Sequence, residues 1–178
     1  FFFEKGVKNV YSLPGGGAMH LIDAFTKNKN ISHIAFFHEQ GASIAAEAAS
    51  RTLENDIGVC CVTTGPGATN AVTAVAGAWI ESSPLVIISG QVKRADMLGN
   101  KNLRQSGVQE VQITRVVDPI TKYSRVAGSP EEIQEILQEA YDHATSGRKG
   151  PVWIDVPLDV QGAPFKKSKY SYSRSIED

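Results

Sequence analysis

The sequence predicts an open α/β domain of three layers, in which a mainly parallel sheet of about six strands is covered by helices on both faces. Short runs rich in β-branched residues alternate with longer segments of helical periodicity along the 178 residues. Several short runs are apolar at successive positions, as in strands that are buried on both faces. Repetition of strand, helix and strand favours right-handed crossovers, and therefore parallel strands.

The elements follow in order along the chain. Strands are expected at Val10–Leu13, His33–His38, Ile57–Thr63, Leu85–Ser89, Tyr123–Val126 and Val152–Val156. Helices are expected at Ala18–Lys27, Gly41–Glu54, Ala68–Glu81 and Pro130–Ser146. Ser129 and Gly147 fit the last helix as its N-cap and terminator.

Three segments interrupt the alternation. The first six residues are typical of the last turn of a helix that ends at Gly6, which predicts that the start of this helix is missing. Residues 91–112 form a long polar connection, and such connections usually line a site or an interface. Residues 162–178 are expected to be a linker toward a missing central domain, so that the domain itself covers residues 1–161.

Composition and charge narrow the classes of function. Hydrophobic residues make up 42% and charged residues 21%, which is typical of a globular protein. The net charge of -1 and the scattered basic residues argue against nucleic acid as a partner. Apolar runs are too short to span a membrane, so we expect a cytoplasmic protein without a membrane partner. Cys60 and Cys61 are expected to be buried thiols.

The segments after the first two strands carry unusual residues, at the sheet edge where ligands gather in open parallel sheets. Glycines in Pro14-Gly15-Gly16-Gly17 let the backbone approach a ligand, although His20 replaces the third glycine of a dinucleotide fingerprint and a plain turn is the alternative. Glu39 closes the second strand, where an unpaired buried charge is costly. A helix start, at which Glu is favoured, is its alternative explanation, and His38 is interpreted as structural.

The segments after the next strands add further polar groups. Thr63–Asn70 combines small residues, against which a flat ring could lie, with hydrogen-bonding side chains, and a generic turn is the alternative. Ser89-Gly90-Gln91-Val92 leads through the long connection to Val108-Gln109-Glu110. The sequence carries no nucleophile elbow, metal-ligand spacing or Walker loop, which disfavours hydrolase, metalloprotein and nucleotide-hydrolysing functions and predicts no metal ligands in this chain.

Six motifs taken in order resemble the pyrimidine-binding domain of acetolactate synthase and its thiamine-diphosphate relatives. The resemblance runs from about Val7 to Gln161. The motifs are Pro14-Gly15-Gly16, His38-Glu39-Gln40, Thr63–Asn70, Ser89-Gly90-Gln91-Val92, Val108-Gln109-Glu110 and the segment Gly150–Pro157.

The resemblance implies roles for individual residues. In that family a glutamate at the position of Glu39 hydrogen-bonds N1′ of the cofactor's aminopyrimidine and favours the tautomer that removes the thiazolium C2 proton. Gln109 would be the second catalytic residue, near the reacting centre. The residues implied to bind the pyrimidine end of thiamine diphosphate are Pro14, Gly15, Glu39, Thr63, Pro66, Asn70 and Gln109.

The resemblance also implies an activity and partners. The chain would be part of an acetolactate-synthase-like enzyme of branched-chain amino acid biosynthesis, which decarboxylates pyruvate and joins the two-carbon unit to a small 2-keto acid. Mg²⁺ would be bound by a domain absent from this chain, and FAD is compatible with the full-length protein. The site would form between subunits of a homodimer or higher homo-oligomer, built through pyrimidine domains, with the diphosphate-binding domain of a partner subunit. The isolated fragment is therefore expected to be inactive.

Two departures keep other functions open. Leu13 and Val108 stand where acetolactate synthases usually carry an aromatic residue and a phenylalanine, which leaves the keto acid undetermined. Another thiamine-diphosphate-dependent 2-keto acid decarboxylase or lyase, with two subunits, is one alternative. A non-catalytic dimerisation or binding module is another, against which the retained Glu39 argues.

Overall fold

The computed structural model describes residues 1–52 and 57–164. These residues form a six-stranded parallel sheet in the order β2-β1-β3-β4-β6-β5. The strands are β1 (Asn9–Ser12), β2 (Ser32–Ala35), β3 (Gly58–Val62), β4 (Leu85–Gln91), β5 (Tyr123–Val126) and β6 (Pro151–Pro157). The helices are α1 (Met19–Lys27), α2 (Glu39–Thr52), α3 (Pro66–Asn70), α4 (Val72–Glu81), α5 (Ile113–Val117), α6 (Ile133–Thr145) and α7 (Leu158–Gln161).

The helices form two layers because the central strands are apolar on both faces. Every residue of β3, β4 and β6 is buried. Helices α1, α6 and α7 cover one face, and α2, α3, α4 and α5 cover the other. The adjacent residues Cys60 and Cys61 point to opposite faces and join different cores, so the prediction of buried thiols is confirmed. The predicted open three-layer α/β fold is confirmed as well.

The second strand differs from its prediction. It ends at Ala35 instead of His38, and three of its four residues are exposed. Its position explains both differences, because β2 is the edge strand and pairs with β1. The last ladder bond, from the Phe36 N–H to the Ser12 carbonyl oxygen, measures 2.8 Å, after which the chain bends out of the sheet. The expectation that Glu39 follows a buried strand was therefore wrong.

Helix boundaries also differ in places. The segment predicted as one helix, Ala68–Glu81, forms two helices, α3 and α4. Helix α3 starts earlier than predicted, at Pro66, because proline fits a first helical position. The break between the two helices falls at Ala71, whose N–H bonds the Ala68 carbonyl oxygen at 3.0 Å. Helix α2 starts at Glu39, not Gly41, and the predicted end at position 54 lies outside the described residues. Helices α5 and α7 were not predicted.

Both ends of the last long helix were predicted approximately. Ser129 makes no side-chain capping bond and precedes a 3₁₀ turn at Pro130–Glu132, after which α6 begins. Gly147 has a positive φ of 54°, as expected of a glycine that follows a helix.

The chain ends are described in part. Phe3–Lys5 form a 3₁₀ turn closed by Gly6, whose φ is 88° and whose N–H bonds Phe3 O, as expected of a glycine-terminated turn. Of the predicted linker 162–178, residues 165–178 lie outside the described residues, so the domain limits stay predictions. None of the helices that the structure describes is long and apolar enough to cross a membrane.

Candidate active site

The candidate site lies at the carboxyl edge of the sheet, where the strand order reverses. The chain leaves β1 toward β2 on one side, and β3 then pairs with the other side of β1. Ligands bind at such switch points in open parallel sheets, because the loops after neighbouring strands diverge there and leave a crevice. Four segments meet at this crevice, namely residues 14–17, Glu39 at the start of α2, residues 63–70 and residues 107–111.

Glu39 is a buried carboxylate in the first turn of α2. Its side chain is 7% exposed, and its Oε2 accepts a hydrogen bond of 3.0 Å from Asn70 Nδ2. Its other oxygen, Oε1, receives no hydrogen bond from any residue that the structure describes. Glu39 therefore stands at a helix start, as its alternative explanation states, and its side chain is also buried. His38 accepts the Gln40 N–H on Nδ1 at 3.1 Å, which is a structural contact.

Glycines allow the turns around Glu39 to pack closely against each other. A Cβ on Gly67 would lie 3.0 Å from Glu39 Oε1 and 2.5 Å from Thr63 Cγ2. A Cβ on Gly15 would lie 2.5 Å from the Thr63 Cβ. The Gly17 N–H donates to Thr63 Oγ1 at 3.1 Å, which ties the turn after β1 to the turn after β3. These contacts bring backbone and small side chains of the two turns together beside the carboxylate.

Thr64 adds a polar group that the sequence did not single out. Its hydroxyl is buried and has no hydrogen-bond partner among the described residues. A Cβ on Gly17 would come within 1.8 Å of this oxygen, so the glycine is required for the close packing. Buried hydroxyls usually find a partner. A water or ligand atom bound beside the Thr64 hydroxyl would therefore be stabilised by a hydrogen bond. In the sequence, the only sign of this role is the position of Thr64 in a Thr-Thr pair directly after a strand.

The other predicted site residues lie at the open rim. Pro14, Pro66, Asn70 and Gln109 are exposed. Gln109 nevertheless joins the same cluster through its backbone, because a Cβ on Gly65 would lie 1.8 Å from the Gln109 carbonyl oxygen. Contacts thus connect Gly15, Thr63, Glu39 and Asn70, and Gln109 joins them at Gly65. Pro14 and Pro66 are neighbours of this group along the chain.

A buried polar network lies next to this crevice and was not anticipated. Asp155 on β6 is 1% exposed and accepts hydrogen bonds from Ser89 Oγ at 2.6 Å and Gln91 Nε2 at 2.8 Å. Trp153 Nε1 donates to Ser89 Oγ at 2.8 Å. Burial raises the pKa of Asp155 to about 7, although the hydrogen bonds from Ser89 and Gln91 act in the opposite direction.

Comparison with known proteins defines the class to which this fold and crevice belong. Residues 3–115 match the family described as "Thiamine pyrophosphate enzyme, N-terminal TPP binding domain". This match covers more than half of the chain, and the chain belongs to that family. The predicted resemblance is therefore confirmed, and thiamine diphosphate is the cofactor of the class.

Particular relatives are acetolactate synthases. The chain is 42% identical to the acetolactate synthase isozyme 1 large subunit of Escherichia coli over 166 residues, which are 93% of this chain and 28% of the relative. It is 42% identical to the chloroplastic acetolactate synthase of Arabidopsis thaliana, over 89% of this chain and 22% of the relative. It is 38% identical to the probable acetolactate synthase large subunit of Methanocaldococcus jannaschii, over 97% of this chain and 28% of the relative. The chain thus spans about a quarter of the length of these relatives.

Proposed function

We propose that this chain forms the pyrimidine-binding half of the active site of an acetolactate-synthase-like enzyme, which decarboxylates pyruvate and joins the two-carbon unit to a 2-keto acid. The observation that carries the proposal is the state of Glu39. It is buried at the sheet edge, and Asn70 holds one of its oxygens. The other oxygen, Oε1, accepts no hydrogen bond from the described residues and lies against Gly67, where a Cβ would be 3.0 Å away.

The residues of the crevice fit the pyrimidine end of thiamine diphosphate. A flat heterocycle needs a smooth surface, which Gly15, Gly67 and the Thr63 side chain supply, and a proton-sharing group, which Glu39 supplies. When bound, the cofactor supplies the electron sink for loss of carbon dioxide from a 2-keto acid. Pro14 and Pro66 would border the ring at the rim of the crevice.

Glu39 would hold a proton on Oε1 in a hydrogen bond to N1′ of the ring. Asn70 supports this role because its amide engages Oε2 and thereby fixes the orientation of the carboxyl group. A group that shares a proton within hydrogen-bond reach of its partner acts in general acid and base catalysis. Gln109 would act from the rim, close to the reacting centre, which its packing against Gly65 supports.

The proposal includes a second subunit. The crevice is open on the side of Pro14, Pro66 and Asn70, where a partner's diphosphate-binding domain would complete it and hold Mg²⁺. Assembly through pyrimidine domains is supported by exposed apolar side chains on α2 and α4, where Ile44 is 45% and Ile80 is 71% exposed. A cytoplasmic location, a place in branched-chain amino acid biosynthesis and an FAD in the full-length protein stay predictions.

The test is Glu39→Gln in the full-length protein. We expect the rate of product formation from pyruvate, alone and with 2-ketobutyrate, to fall at least about 100-fold, because glutamine cannot exchange a proton. Glu131→Gln, which changes an exposed glutamate in the 3₁₀ turn before α6, is the matched control and should leave the rate unchanged. Unchanged activity of Glu39→Gln would remove this residue from the mechanism.

The products of the same assay distinguish the proposed acetolactate-synthase-like enzyme from a decarboxylase or lyase. Val108 is 82% exposed beside Gln109, and it provides less surface than a phenylalanine to hold a second keto acid. This observation favours the other candidate, a thiamine-diphosphate-dependent decarboxylase or lyase. Acetolactate or acetohydroxybutyrate as the product supports the first proposal, whereas a free aldehyde as the main product supports the second.

A further inference from the structure

Gln109 has a backbone conformation that few residues other than glycine adopt. Its φ is 58°, in the left-handed region, where a side chain meets steric strain. Strained residues persist when the surrounding structure holds them, and they concentrate at functional sites. The contacts of the neighbouring residues show what holds this one.

Gln91 holds the segment from the side of the sheet. It is the last residue of β4 and is 1% exposed. Its Nε2 donates to the Val111 carbonyl oxygen at 3.0 Å and to Asp155 Oδ2 at 2.8 Å, and its Oε1 accepts the Val92 N–H at 2.9 Å. Because these bonds engage both ends of the amide group, the side chain has one orientation, and it fixes the backbone two residues after Gln109.

Glu110 holds the segment from the side of the loop. Its Oε1 accepts the Leu98 N–H at 2.6 Å, and its Oε2 accepts the N–H groups of Ser106 and Gly107 at 3.1 and 3.0 Å. Burial acts to raise the pKa of Glu110, but these backbone hydrogen bonds lower it overall, which favours the charged form. The carboxylate therefore gathers residues 98–107 around itself and fixes the backbone directly after Gln109.

We propose that Gln91 and Glu110 are positioning residues that hold Gln109 in its left-handed conformation at the rim of the crevice. Gln91 anchors the segment to the central strands through Asp155, and Glu110 anchors it to the loop. Gly65 permits the close approach, because any side chain there would collide with the Gln109 carbonyl oxygen. The catalytic role of Gln109 rests on the proposed function. The anchoring of Gln109 by Gln91 and Glu110 does not depend on it.

The first test measures hydrogen exchange in the full-length protein. Gln91→Leu and Glu110→Gln should each accelerate exchange of the Glu110 and Ile113 amides about tenfold or more, because each removes hydrogen bonds that close the segment. Exchange in α6 should not change. Gln138→Leu, which removes a glutamine amide bonded to Asp142 on α6, is the matched control and should leave residues 107–113 unaffected.

The second test is a double-mutant cycle on turnover. Gln91→Leu should lower kcat about tenfold when Gln109 is present and less than about twofold in a Gln109→Ala background, because a positioning residue acts through the residue it positions. Equal losses in both backgrounds would overturn the proposal. Unchanged exchange of residues 107–113 in both Gln91→Leu and Glu110→Gln would overturn it as well.

The two tests also separate this inference from the proposed function. If exchange accelerates but Gln109→Ala leaves turnover unchanged, the anchoring stands and the catalytic role of Gln109 fails. Glu110→Gln supplies the exchange test from the opposite side of the segment if Gln91→Leu does not fold.

Discussion

Replacing Asp155 by asparagine should reduce the dependence of stability on pH between pH 5 and pH 8. The carboxyl group is almost fully buried between β4 and β6 and accepts hydrogen bonds from Ser89 and Gln91. Burial raises its pKa from the ordinary value of 3.8 to about 7. Asparagine has nearly the same shape and carries no charge at any pH in this range.

The sign follows from proton binding. Between about pH 4 and pH 7 the folded chain retains a proton on Asp155 that the unfolded chain has lost. The stability that this proton contributes is fully present below about pH 4 and is lost as the pH rises through 7. One pH unit within that range corresponds to about 1.4 kcal/mol. Between pH 5 and pH 7 the free energy of unfolding of the wild type should therefore fall by about 3 kcal/mol from this group, and that of Asp155→Asn should not.

Urea unfolding at pH 5 and pH 8 measures this difference. The fluorescence of Trp153 reports on the same network, because its indole is fully buried and donates to Ser89. Asp159→Asn is the control because, although burial acts to raise the pKa of Asp159, hydrogen bonds and charge from Arg94 lower it below its ordinary value overall. If wild type and Asp155→Asn lose equal free energy of unfolding between the two pH values, the reasoning is wrong.

Three further predictions concern the stability of the turn at Gly65, the reactivity of the two cysteines and the activity of the isolated chain. Gly65→Ala should destabilise the chain by roughly 2–4 kcal/mol in urea unfolding, because φ is 59° and the added Cβ meets the Gln109 carbonyl oxygen. Cys60 and Cys61 should not react with a thiol reagent at pH 8 until the chain unfolds, since burial raises the pKa of Cys61 to about 12 and that of Cys60 well above its ordinary value. The isolated 178-residue chain should form no product from pyruvate, and ready turnover would contradict a shared site.

The central strands could be predicted because burial on both faces gives continuous apolar runs. Leu85–Ser89 and Val152–Val156 lie within the observed β4 and β6, and each observed strand extends beyond the prediction by one or two residues at an end. The edge strand β2 could not be delimited in this way. Phe36 and Phe37 continue its apolar pattern beyond Ala35, yet Phe37 is fully exposed. The end of β2 is set by the end of its pairing with β1, which the hydrophobic pattern of the sequence does not show.

The candidate site was predictable where it depends on residues at strand ends. Glu39, Gly15 and Thr63 lie together because parallel strands bring their carboxyl ends to one edge. The network of Asp155 depends instead on register, which pairs Ser89 with Asp155 across β4 and β6 although they are far apart in sequence. No local pattern encodes that pairing. The left-handed conformation of Gln109 was equally inaccessible, since it results from anchors at both ends of a loop.

Exposure within the crevice argues for a site that another surface completes. Glu39 is buried, but Asn70, which holds it, and Pro66, in the same turn after β3, are exposed. A ring lying against these turns would be covered by this domain on one side, and water would reach the other. Hydrogen bonds and charges act more strongly where water is excluded. The proton sharing proposed for Glu39 therefore requires a cover, and for the same reason we expect the isolated chain to bind the cofactor weakly.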